Sequence, residues 1–159
     1  LLCGGRAYRY LSACWAQDVA AAQALSVKPT ASAAAVERLQ GELSALKLRC
    51  AKLEESVFAG VAARYAGSGD VLLFEDEMGG ESVRRLCDAV AETCGGRCAV
   101  FAGAGSAWKY AIGQRGGDLR ALTKELNAAL SGRGGGMPEF EQGSVGAERE
   151  AIEAFFAEK

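Results

Sequence analysis

The chain has 159 residues, half of them apolar and 24% charged, with 18 Lys and Arg against 20 Asp and Glu for a net charge of −2. That is room for one compact domain, or a small domain with an extension; any nucleic-acid partner must be held by a local patch, because the chain is no polycation. The chain has no histidine, which excludes Ser-His and Cys-His nucleophilic pairs and imidazole metal ligands within it, and no apolar run nears the ~18 residues of a membrane span.

The opening LLCGGRAYRY has no initiator Met and no basic-then-apolar signal pattern. The chain is therefore expected to be part of a longer protein. Residues 6 to 26 predict a first helix, with Leu11, Trp15, Val19, Ala22 and Leu25 at helical spacing. Lys28-Pro29-Thr30 breaks it, and Thr30 or Ser32 can cap a second helix over about 32 to 65. Along this second helix Val36, Leu39, Leu43, Leu46, Cys50, Leu53 and Val57 alternate spacings of three and four, the a and d positions of a heptad repeat. Glu42 with Lys47, and Arg49 with Glu54, fall at g and e, where they attract across a parallel pair. Gly41 weakens the helix by ~1 kcal/mol relative to alanine. Two readings stay open: an intermolecular coiled coil, giving a homodimer, or an intramolecular hairpin with the first helix.

Gly67-Ser68-Gly69-Asp70 marks a boundary, dividing a helical arm at 1–66 from an α/β domain at 67–159. Val71–Phe74 and Cys98–Phe101 predict buried strands, residues 80 to 93 a helix between them, and Trp108–Ile112 a third strand. Leu119, Leu122, Leu126 and Leu130 trace an amphipathic helix. A glycine-rich stretch, SGRGGGMPEFEQGS at 131–144, leads to a last helix over 146 to 157. The expected fold class is α/β: an N-terminal helical arm (helix pair or coiled coil), then a small α/β domain with a glycine-rich loop.

The six cysteines, Cys3, Cys14, Cys50, Cys87, Cys94 and Cys98, fall mostly in apolar or helical patterns, the usage of reduced cytosolic thiols. Cys94 and Cys98 form a C-x3-C with Cys87 upstream, but no second close pair completes a zinc set. Glu75-Asp76-Glu77 reads as a solvated turn rather than a metal site. Consecutive glycines can aim several N–H groups at one point, an anion nest, and Arg133 adds a donor fork suited to phosphate. Yet Gly132-Arg133-Gly134-Gly135-Gly136 matches neither the P-loop nor the dinucleotide fingerprint, so a connector and a nest both remain open. Arg115, Arg120, Lys124, Lys109 and Arg133 are the candidate phosphate patch, and Gln142 a polar group beside it. The acidic run of Glu139, Glu141, Glu148, Glu150, Glu153 and Glu158 faces only Arg149 and is expected to point elsewhere.

The stretch from Asp118 through Ser144 resembles the C-terminal signature of the DHH-associated domain: a helix, a glycine run, a basic residue, Pro, an acidic residue, then Ala-Gln-Gly. Gly132, Gly134, Gly135, Gly136, Pro138, Glu139, Gln142 and Gly143 stand in matching order. Met137 replaces the usual Lys or Arg, and Glu141 the usual Ala. The opening LCGGRAYRYL, with Ser26-Val27-Lys28-Pro29 after it, is similar to the tail of the editing domain in long freestanding alanyl-tRNA editing proteins.

The resemblance implies a non-catalytic C-terminal module. It would help to dimerise through Val36, Leu39, Leu43, Leu46 and Leu53. It would hold tRNA, with tRNA(Ala) expected, through Arg115, Arg120, Lys124, Arg133, Gly134, Gly135, Gly136 and Gln142. Hydrolysis of mischarged tRNA(Ala), with its zinc and histidines, would belong to an editing domain upstream; no cofactor is expected here. A cytoplasmic protein with no membrane partner follows. The alternatives are the substrate-binding half of a DHH-family phosphoesterase and a purely structural dimerisation piece.

Overall fold

A computed structural model describes residues 3–159; residues 1 and 2, where the predicted arm begins, lie outside the described residues. The chain divides into two compact units between Ala51 and Lys52.

The first unit is helical. Helix α1 spans Gly4–Ala24 and ends in a Schellman cap, in which Ser26 takes a left-handed φ of +55° and the Val27 N–H reaches the Ala22 carbonyl at 2.9 Å. Pro29–Ala31 then forms a single 3-10 turn into helix α2, Ser32–Arg64. Ser32 does not cap α2 as the sequence suggests. Its hydroxyl is shared between the Pro29 carbonyl and the Asp18 carboxylate, 2.6 Å from each, so it ties the turn back to α1. Of the predicted apolar face of α1, only Ala22 is buried; Leu11 and Trp15 are exposed. The α2 residues of the heptad stripe in this unit, Val36 to Cys50, are exposed as well. The hairpin in which α1 covers that stripe is therefore absent from the described residues.

The second unit, Lys52–Lys159, is a five-stranded sheet with helices on both faces. Strand β1, Gly69–Glu75, runs parallel to β2, Gly95–Ala104, and helix α3, Gly80–Ala91, makes the crossover. Strand β2 turns into β3, Ala107–Gln114, through Gly105-Ser106, with Gly105 at φ +56° as a two-residue hairpin requires. Helix α4, Arg120–Ala129, leads to β4, Arg133–Met137, and β5, Phe140–Val145, before the final helix α5, Arg149–Ala157. The sheet order is β1-β2-β3-β5-β4, so β5 inserts between β3 and β4 and leaves β4 on the edge.

The α/β class and the helical lead-in are as the periodicity predicts. The glycine stretch differs: it is not a loop but an antiparallel hairpin of β4 and β5. Glycine is a poor strand former by propensity, but here tight backbone approach selects it. A Cβ at Gly134 would strike the Tyr110 hydroxyl and the Gln142 carbonyl, one at Gly136 the Phe140 carbonyl, and one at Gly143 the Arg133 carbonyl.

Two cores flank the sheet. On one face α3 and the last turns of α2 bury Phe58, Val61, Val83, Leu86 and Val90 against Val71, Val100 and Ala111. On the other, α4 and α5 bury Leu119, Leu126 and Ile152 against Phe101, Tyr110 and Ile112. The compact units divide within α2, whose last turns place Phe58, Val61 and Ala62 in the first of these cores.

Candidate functional site

Directly opposed residues of antiparallel strands share a face, and the registers of β3, β5 and β4 place three rows across the α3 face. Lys109, Ser144 and Arg133 form the first row, Ala111, Gln142 and Gly135 the second, and Gly113, Phe140 and Met137 the third. Phe140 and Ala111 join the core under α3. Lys109, Ser144, Arg133, Gln142 and Gly135 instead line a groove of about 480 Å³, with Gly80 and Glu81 of α3 as its other wall. No side chain caps the start of α3, whose first-turn amides lie at this wall.

A second cavity of about 650 Å³ shares Lys109, Arg133 and Ser144 and adds Ser106, Ser131 and Glu77. On the other side of Gln142, Arg84, Arg115, Gly136 and Met137 line a further cavity of about 430 Å³. A polar track therefore runs beside the edge of the sheet, from Lys109 and Arg133 past Gln142 toward Arg84 and Arg115. From Lys109 to Gln114, the last residue of β3, is five strand steps, ~17 Å at the usual rise, and Arg115 follows directly.

The opposite face is closed. The Tyr110 hydroxyl, above Gly134 and Gly143, donates to Asn127 Oδ1 at 3.0 Å, and Asn127 Nδ2 reaches the Gly134 carbonyl at 3.4 Å. Burial pushes the Tyr110 hydroxyl up from its usual value, so it stays a donor. Helix α4 ends above this face with Ser131 at φ +52° and the Gly132 N–H on the Asn127 carbonyl at 2.8 Å, a second Schellman cap that turns the chain into β4.

The cations are not equivalent. Lys109 Nζ donates to the Met78 carbonyl at 3.3 Å, and neither Lys109 nor Arg133 has a carboxylate within ion-pair distance among the described residues. Arg115 is held by Asp88 at 2.9 Å and Glu92 at 2.8 Å. Arg120 forks onto Asp118, with Nη2 at 2.6 Å, and this hydrogen bond holds the Asp118 carboxyl down at about 2. Arg120 and Lys124 both lie on α4, over the other face of the sheet from Lys109 and Arg133. The structure thus brings together Lys109, Arg133, Gln142 and Gly135, places Arg115 at the far end with its acids, and separates Arg120 and Lys124.

Gly134 and Gly136 point to the closed face, whereas a Cβ at Gly135 would meet nothing nearer than Glu141 Oε2 at 3.9 Å. Gly134 and Gly136 serve packing, and Gly135 leaves the groove floor bare. As the edge strand, β4 also presents unpaired backbone donors and acceptors.

Sequence reasoning missed Ser144 and Arg84. Ser144 follows Gln142 by two and shares its face once β5 is read as a strand. Arg84 reads as one more solvated helix position. Met137, in the third row, is 70% exposed, at the open rim of the track. Lys109, Arg133, the Gln142 amide and the Ser144 hydroxyl line the groove together with the Glu81 carboxylate, and two cations without an ion-pair partner among the described residues are suited to one or two phosphates and a neighbouring sugar.

No family profile matches the chain, and no curated protein matches it. Among solved structures it is similar to the C-Ala domain of alanyl-tRNA synthetase from Aquifex aeolicus, at 20% identity and a TM-score of 0.47, over 56% of this chain and 89% of that one.

Proposed function

We propose that this chain is a non-catalytic, tRNA-holding module of an alanyl-tRNA editing protein, with the groove along β5 and β4 as its RNA contact. The observation that carries the reading is the first row of the sheet face: Lys109 and Arg133, free of carboxylate partners among the described residues, flank Ser144 next to the bare floor at Gly135. Lys109 and Arg133 take phosphate oxygens, Ser144 and Gln142 take sugar or base-edge groups, and the missing side chain at Gly135 lets the ribose-phosphate chain approach the backbone. The match of Asp118–Ser144 and of the CGGRA opening to the two ends of the editing-protein pattern supports tRNA(Ala) as the RNA. In this reading hydrolysis of the mischarged tRNA, and the zinc it uses, belong to a separate histidine-bearing domain, and the protein works in the cytoplasm.

Filter binding of the chain to a tRNA(Ala) transcript over a salt series tests this. Two phosphate contacts predict a slope of log K against log salt of about −1.4 to −1.8. Absence of binding even at the lowest salt refutes it. The DHH-phosphoesterase alternative rests on the same glycine strand, and a short dinucleotide that displaces tRNA at equal concentration would favour it.

A further inference from the structure

We infer that the outer part of helix α1 is a binding site of its own, a stacking surface for an unpaired, single-stranded stretch of nucleic acid. The inference does not rest on the groove, and the two stand or fall separately. Helix α1 leaves nearly all of its surface open, with Ala22 its one buried residue. Tyr8, Tyr10 and Trp15 are 75%, 59% and 61% exposed, so three aromatic rings stand in water on one helix. Arg6 and Arg9 lie among them, both exposed and without an ion-pair partner among the described residues. Residues 3–17 hold no acidic side chain, although the chain as a whole carries −2. The first carboxylate, that of Asp18, accepts the Ser32 hydroxyl at 2.6 Å. Charge along this part of α1 is therefore of one sign and complementary to phosphate.

The residue types select the occupant. Residues three and four apart are neighbours on a helix, so Tyr8, Leu11, Ser12 and Trp15 share one face, and Arg9 borders it through Ser12. Tyr8 and Trp15 stand ~10 Å apart along the axis, which gives each ring one base and lets the phosphates pass toward Arg9 and Arg6. Aromatic faces accept any base, and arginine adds charge and cation–π contact; together they are what a single strand requires. A helix that docks on a protein core or lies in a membrane surface presents aliphatic side chains turn after turn. Between Gly4 and Gln17, Leu11 is the sole Leu, Ile, Val or Met, so the large exposed surface there is aromatic rather than aliphatic. The paired and stacked bases of a folded tRNA give such a surface little to hold, and its ligand differs from that of the groove.

The test follows tryptophan fluorescence of the full chain while an oligouridylate dodecamer is added. The chain has two tryptophans, and Trp108 is 8% exposed, so Trp15→Phe isolates the signal at an exposed position where folding is not at stake. The expected result is quenching in the unaltered chain that Trp15→Phe abolishes. In filter binding of the same oligonucleotide, Tyr8→Ala/Trp15→Ala should lose at least about tenfold in affinity. Arg6→Ala/Arg9→Ala should make the salt slope shallower by about 1.4, the share of two single-strand phosphate contacts. Lys109→Ala/Arg133→Ala should leave the quenching unchanged, which separates this site from the groove. A Trp15 that does not respond to the oligonucleotide overturns the inference, whether or not the groove holds tRNA. So does equal quenching by heparin, a polyanion without bases, because α1 would then be sensing charge alone.

Discussion

Glu141 is only 2% exposed, and its Oε2 has no hydrogen-bond partner among the described residues. Burial pushes its carboxyl above the ordinary value near 4.5; Arg120 opposes the shift and Asp118 adds to it. The sign follows from proton binding. Between the ordinary and the raised value the folded chain holds the proton and the unfolded chain does not, so stability from this group is full below about 4.5 and falls as pH rises through the raised value. Glu141→Gln removes the buried charge. It should stabilise the chain at pH 7.5 and leave it unchanged at pH 4, read by urea unfolding at both values; an equal effect at the two pH values would contradict the assignment. The sequence shows this residue as one of an acidic run and as a departure from the pattern it resembles, and its burial is hidden because which face of β5 it takes depends on recognising β5. The partners of Arg115 were equally hidden, since Asp88 and Glu92 come from another element. The Asp118–Arg120 pair lies two residues apart and is legible locally.

The β4–β5 hairpin shows how an element can be misread from composition. Helices α2, α3 and α4 announce themselves by apolar spacing, and β1 to β3 by short apolar runs. Arg133–Met137 has three glycines and no apolar alternation, so neither signal exists. Its strand character comes from the registry with β5 and from the space that Tyr110 leaves. The glycines should therefore separate by role. Gly134→Ala drives a methyl into the Tyr110 hydroxyl and the Gln142 carbonyl and should lose about 1–3 kcal/mol in a urea titration. Gly135→Val meets open space and suits a strand. It should keep the unfolding midpoint while weakening tRNA binding, and equal destabilisation by both changes would defeat the distinction. Helix α2 carries the same lesson at its end: its heptad repeat is plain in sequence, but Phe58, Val61 and Ala62 use another side of the helix to enter the α/β core, which no single periodicity reports.

For the whole molecule, a net charge of −2 means that RNA affinity must come from placement rather than total charge. No helix among the described residues is long and apolar enough to cross a membrane. The cations that the sequence grouped together divide over the two faces of the sheet, and only Lys109 and Arg133 share a row at the bare glycine strand. The most direct measurement is tRNA(Ala) affinity at ~50 mM salt for Lys109→Ala/Arg133→Ala beside Arg120→Ala/Lys124→Ala. Both pairs remove the same charge, one from the groove and one from α4. The groove account predicts a loss of at least about tenfold and a nearly flat salt dependence for the first pair, the slope of about −1.4 to −1.8 being lost, with the second within about twofold of the unaltered chain. Equal losses, or a larger loss from the α4 pair, would contradict it.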